Sequence, residues 1–142
     1  MAPLAVVEIS IDASPAVVWE ALTRPDLIKK YFFGTTTFTT WEVGSPIRFV
    51  GEWEGQAYED KGTVLAFEPC RLIRYDYWSS MSGLEDLPEH YIQISYALEE
   101  EEGITRLRIE QGPMKDEETA AHSEGNWLSV MVGMKELVES GI

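Results

Sequence analysis

The stretch DEETAAHSEGNWLSVMVGMKELVES, residues 116–140, follows Gly112-Pro113 and reads as one long helix. Acidic residues crowd its first turn, where the positive end of the helix dipole favours them. Trp127, Val130, Met131, Met134, Leu137 and Val138 recur at the spacing of one helical face, while Lys135, Glu136 and Glu139 take the other. At 1.5 Å rise per residue such a helix is roughly 35–38 Å long, enough to cross a whole sheet. A helix this long with one apolar stripe needs a broad apolar partner.

The preceding sequence supplies one. Thr105 to Glu110 alternates, with Leu107 and Ile109 on one face and Arg106, Arg108 and Glu110 on the other. Tyr91 to Leu98 is a second apolar run, and the acidic tract Glu99 to Glu102 before Gly103 reads as a hairpin turn between them. Leu72 to Trp78 sets Ile73, Tyr75 and Tyr77 opposite Leu72, Arg74, Asp76 and Trp78. Tyr58 to Phe67 and Ile47 to Trp53 are two more strands, joined at Gly55, and Ile47, Phe49 and Trp53 share a face. Residues 79–88 form a polar loop containing Gly83.

At the other end of the chain, Val6 to Ile11 alternates as a first strand. Ser14 is placed to cap a helix whose first position is Pro15, and that helix carries Val18, Trp19 and Leu22. Asp26 to Phe33 is expected to form a second short helix ending at Gly34. Strand, two short helices, a run of strands and a long helix predict an α+β fold. Its sheet, of about six or seven antiparallel strands, would curl around the C-terminal helix, and large inner side chains would leave a cavity between them.

The chain has 142 residues, a hydrophobic fraction of 44% and no internal linker or repeat, which predicts a single domain over 1–142. Cys70 alone cannot form an internal disulfide. The start Met1-Ala2-Pro3-Leu4 carries no secretory signal, and no apolar stretch approaches the ~20 residues that span a bilayer. A cytoplasmic location is the expectation. A net charge of −14, from 25 acidic and 11 basic residues, repels phosphate backbones and anionic lipid heads. Nucleic-acid binding and membrane insertion are therefore not expected.

The ordered pieces also carry a resemblance. They are Ala13-Ser14-Pro15 with Val18-Trp19-Glu20-Ala21-Leu22-Thr23, then Trp41-Glu42-Val43-Gly44 entering Ile47-Arg48-Phe49. Gly62-Thr63-Val64-Leu65, Pro69, Arg71-Leu72-Ile73, Trp78, Ile94-Ser95-Tyr96-Ala97-Leu98 and Thr105-Arg106-Leu107 follow. His122, Gly125, Asn126-Trp127 and Met134-Lys135-Glu136-Leu137 complete the set. In this order the chain resembles the helix-grip SRPBCC superfamily (the START-like, Bet v-like proteins). Within it, the sequence is most similar to the family named for the activator of the heat-shock protein 90 ATPase.

Two positions depart from the family pattern. Ser45-Pro46 follows Gly44 where a second glycine is common, and Gln111 stands where a histidine is common. The resemblance implies a ligand-holding cavity, since other members of the superfamily bind lipids, hormones or polyketides and some are cyclases or hydrolases. It also implies a possible chaperone contact. The namesake co-chaperone carries a separate N-terminal domain that this sequence lacks, so stimulation of the chaperone ATPase is expected to be weak.

Catalytic chemistry finds little support in the residues. His90 and His122 are the two histidines, with no HxxxH or Cys/His cluster, so neither a metal nor another cofactor is expected. His122 reads as a polar helix-end residue beside Gly125, and His90 as an exposed loop neighbour. No GxSxG elbow is present, and Cys70 reads as a small packed residue after Pro69. The aromatic content points to binding instead. Trp53, Tyr75, Tyr77, Tyr91 and Trp127 are candidate cavity walls, Met131 and Met134 adaptable ones, and Gln93 a polar orienting group. An ordinary aromatic core would use the same residues, and a one-residue slip in register would exchange the strand faces. The expected cargo is a small apolar, aromatic or lipid-like molecule. The alternatives are a protein-interaction module of co-chaperone type and a cyclase- or hydrolase-like enzyme.

Overall fold

A computed structural model describes residues 3–80 and 82–141. The strands are β1 (Ala5–Ile11), β2 (Thr36–Thr39), β3 (Pro46–Trp53), β4 (Gln56–Glu68), β5 (Leu72–Ser79), β6 (Ile92–Glu101) and β7 (Ile104–Gly112). The helices are α1 (Pro15–Thr23), α2 (Pro25–Tyr31) and α3 (Glu117–Glu139). The strands form one antiparallel, curved sheet in the order β1-β7-β6-β5-β4-β3-β2. This is the α+β helix-grip fold. No helix among the described residues is long and apolar enough to cross a membrane.

The turns explain the meander. Glu54 and Gly55 both have positive φ (50° and 81°), as do Glu102 and Gly103 (53° and 82°). Two consecutive left-handed residues match the twist of the flanking strands, so each pair closes a two-residue hairpin. The acidic tract does lie in a hairpin, but pairing continues through Glu101 opposite Ile104. In β4 the register shifts between Val64 and Ala66, a bulge that bends the strand. Close approach is greatest at Gly62, where a Cβ would come 1.7 Å from the Asp76 carbonyl oxygen.

Two elements differ from expectation. Strand β2 comes from Thr36 to Thr39, a segment without apolar alternation. β-Branched threonines suit extended backbone, and pairing along β3 with Thr37 turned inward holds them there. Helix α2 stops at Tyr31, two residues before Phe33, because Phe33 (φ 53°) and Gly34 (φ 73°) turn left-handed.

The core lies between the concave face of the sheet and α3. Ile47, Val64, Ile73, Ile94, Leu107 and Ile109 meet Val130, Met131, Met134 and Val138 there. Asp116 caps α3, its carboxylate accepting from Thr119 N–H at 2.7 Å. The helix is also tied to the first strand along its length. Val6 N–H donates to the Glu124 carboxylate (2.9 Å), Lys135 Nζ to the Ser10 carbonyl (2.7 Å) and Asp12 N–H to the Glu139 carboxylate (2.9 Å).

Candidate functional site

Packing of α3 against the sheet is dense over the second half of the helix and open over the first. A cavity of about 580 Å³ occupies the open end. Its floor is the inward face of β3 to β6, where alternation brings Phe49, Trp53, Tyr58, Tyr75, Tyr77 and Ile94 to one side. Its roof is one face of α3, from His122 and Ser123 through Asn126 and Trp127 to Val130. These positions fall at helical i, i+4 spacing. Phe32 and Phe33, at the end of α2, close one flank.

Of the side chains expected to line a cavity, Trp53, Tyr75, Tyr77 and Trp127 come together here. Trp127 is 7% exposed, and its indole N–H donates to Gln111 Oε1 at 2.8 Å. Gln111 thus holds the Trp127 indole at a position where the family pattern commonly has a histidine. Trp53 is 47% exposed and meets Phe33 edge-on with ring centroids 5.3 Å apart, so this pair stands at the mouth.

Four expected wall residues lie elsewhere. Gln93 pairs across the ladder with Asp76 and Gly112, on the outward parity of β6, and Ile94 takes the inward place. Tyr91 precedes the strand, after a 3₁₀ turn at Pro88–His90, and its hydroxyl donates to the Asp86 carboxylate outside the cavity (2.5 Å). Met134 is wholly buried in the core. Met131 is 2% exposed and borders only a void of about 10 Å³ beyond the cavity, beside Tyr31 and Leu22. The helix rises past the cavity by the time it reaches these methionines.

Other lining residues were not anticipated. Phe49 was legible, because it shares the face of Ile47 and Trp53. The helical positions His122, Ser123 and Asn126 follow from extending the Trp127 stripe backwards by three or four residues. Contrary to its reading as a residue packed beside Gly125, His122 is an exposed side chain on the cavity wall. His90 is half-buried, with Nδ1 2.7 Å from the Glu85 carbonyl oxygen.

The polar groups inside are mostly paired. Tyr75 and Tyr96 share a hydrogen bond of 2.7 Å between their hydroxyls, and Thr35 Oγ1 lies 2.5 Å from the Tyr58 hydroxyl. Gly51 makes room for that phenol, since a Cβ there would lie 2.5 Å from the Tyr58 hydroxyl. Tyr77 donates to Asp60 Oδ2 at 2.5 Å. Burial pushes the Tyr75, Tyr77 and Tyr96 hydroxyls up from the ordinary phenol value, and the neighbouring Asp60 charge raises Tyr77 further. These phenols therefore serve as protonated donors rather than bases.

Asp60 and His122 are the charged or chargeable side chains of the wall other than tyrosine, and no lysine or arginine lines it among the described residues. Arg48 points outward over the Phe38 ring and pairs with Glu59 at 2.9 Å, and Arg74 is exposed. Among the described residues, no group of three or more His, Cys, Asp or Glu side chains is placed to hold a metal ion.

The family model described as "Activator of Hsp90 ATPase homolog 1-like protein" matches residues 12–139. No curated protein matches the sequence. Among solved structures, ChR145 of Cytophaga hutchinsonii is similar at 38% identity and a TM-score of 0.85, over 97% of this chain and 94% of that one. The Aha1 dimer of Colwellia psychrerythraea is similar at 23% identity and a TM-score of 0.77, over 98% of each chain. The protein Ara h 8.0201 shares the fold at 12% identity and a TM-score of 0.76, over 99% of this chain and 100% of that one.

Proposed function

The chain belongs to the family of activator of Hsp90 ATPase homolog 1-like proteins, and from that premise we propose that it binds a small apolar or aromatic molecule between the sheet and α3. The observation that carries this reading is the cavity of about 580 Å³, walled by rings from three strands and one helix. Its volume falls in the range of small-molecule sites, about 300–1,000 Å³. Beside Asp60 and His122, its polar groups are hydroxyls and amides, which can orient a ligand. Trp53, Tyr75, Tyr77 and Trp127 are the proposed contact residues, joined by Phe49 and Ile94. The exposed Phe33–Trp53 pair gives the ligand an apolar entrance.

The test is a library of neutral aromatic and lipid-like compounds screened by thermal shift and tryptophan quenching. Trp53 and Trp127 both line the site and report on occupancy. A ligand at a hundred times its Kd adds about 2.7 kcal/mol of stability by mass action. Ser123→Phe, placed on the half-buried roof, fills the space and removes the effect while the fold survives. If a broad library produces no shift and no quenching, the binding reading fails and a protein-interaction role takes its place.

A further inference from the structure

Asp60 sits where an apolar cavity least tolerates a carboxylate. Alternation along β4 turns it inward beside Tyr58, and the ladder sets it directly across from Phe49. Its Oδ2 accepts one hydrogen bond, from Tyr77. Its Oδ1 is sealed from solvent and has no donor among the described residues. An ionised carboxylate offers about four acceptor sites, so most of this group's capacity is unused. Among the described residues no lysine, arginine or histidine forms an ion pair with it. The nearby positive side chains are turned away: Lys61, next in β4, pairs with Asp86 on the outside, and Arg48 pairs with Glu59. Asp60 is half-buried, and a carboxylate partly withdrawn from water without a counter-ion is destabilised, so the partner it lacks is a cation or a strong donor.

The surrounding rings suit the same partner. Phe49 lies across the ladder from Asp60, Tyr77 bonds to it and Tyr58 shares its face of β4, and the faces of such rings attract cations. We infer that the cavity selects ligands bearing a protonated amine, or a comparable cationic donor, on an apolar or aromatic body, with Asp60 as the counter-charge. This rests on the ligand-binding reading above and names the chemical class that the site prefers. Anionic ligands meet that carboxylate with no lysine or arginine to offset it.

Three probes with one ring system test the inference: 2-naphthylmethylamine, 2-naphthalenemethanol and 2-naphthoate, titrated at neutral pH by calorimetry. We expect the amine to bind at least about tenfold tighter than the alcohol and the carboxylate to bind weakest. In Asp60→Asn the amine should lose that advantage while the alcohol binds as before. Equal affinities for the three probes overturn the inference and leave the apolar-cavity reading standing. An amine preference that persists in Asp60→Asn and fades with salt also overturns it, because the net charge of −14 then supplies the attraction. If none of the three binds while other compounds of the library do, the inference falls and the apolar-cavity reading stands; if the whole library also fails, both fall. Should Asp60→Asn not fold, the labelled carboxyl carbon of Asp60 in the unaltered chain decides. Its NMR resonance should move with amine and not with alcohol, and an unmoved signal at saturating amine overturns the inference.

Discussion

Trp127 meets Tyr96 and Phe32 edge-on, with ring centroids 5.9 Å apart in each case, and donates its indole N–H to Gln111. Trp127→Ala therefore removes packed volume and leaves an amide without its partner. The expected cost is about 3–5 kcal/mol, read as a lower urea midpoint at unchanged slope. Unchanged midpoints would show that the ring is not holding α3 to the sheet. The buried tyrosines make a second prediction. Tyr75, Tyr77 and Tyr96 hold their protons more tightly folded than unfolded, so the folded state binds more protons above the ordinary phenol value. Their contribution is intact below about pH 10 and is lost as the pH climbs towards their raised folded values. Tyrosinate absorbance should accordingly rise with unfolding, in one step, and a smooth titration of all tyrosines in the folded protein would contradict it. At this scale Trp127 was legible because a helical stripe points only one way. Asp60 was not, since its neighbours Glu59 and Lys61 read as ordinary surface and only the ladder reveals its inward turn.

Among the elements, β4 carries the tightest constraint. A methyl at Gly62 would overlap the Asp76 carbonyl of β5, a backbone atom that cannot swing aside. Gly62→Ala should cost at least the ~1–3 kcal/mol usual for overpacking, seen as a fall in melting temperature. Gly51→Ala provides the contrast. There the obstacle is the far end of the Tyr58 side chain, which can move, so stability should change less and the shape of the cavity more. If both variants melt alike, rigid backbone contact is not what distinguishes them. Helix α3 and six strands were readable from periodicity, with ends displaced by a few residues. Strand β2 was not, because a threonine run has no alternation to read. In β6 the existence of the strand was legible while its inward parity was not: Tyr91 and Gln93 were favoured over Ile94, the one-residue error that a period of two permits.

For the molecule as a whole, charge and chain order matter most. A surplus of 25 acidic over 11 basic residues repels itself in the compact state. Raising ionic strength from about 0.01 M to 0.15 M shortens the screening length from about 30 Å to 8 Å, so the melting temperature should rise with added salt. A flat response would mean that the surface ion pairs already balance the field locally. The cavity itself depends on residues far apart in the chain. Its floor is complete at β6, and its roof is α3, fastened to β1 by Glu124, Lys135 and Glu139. During synthesis every strand leaves the ribosome before that helix does. Until α3 arrives, the concave sheet is an open apolar trough, and a ligand has nothing to enclose it. A ligand should then act on the finished protein alone, slowing its unfolding without hastening its folding.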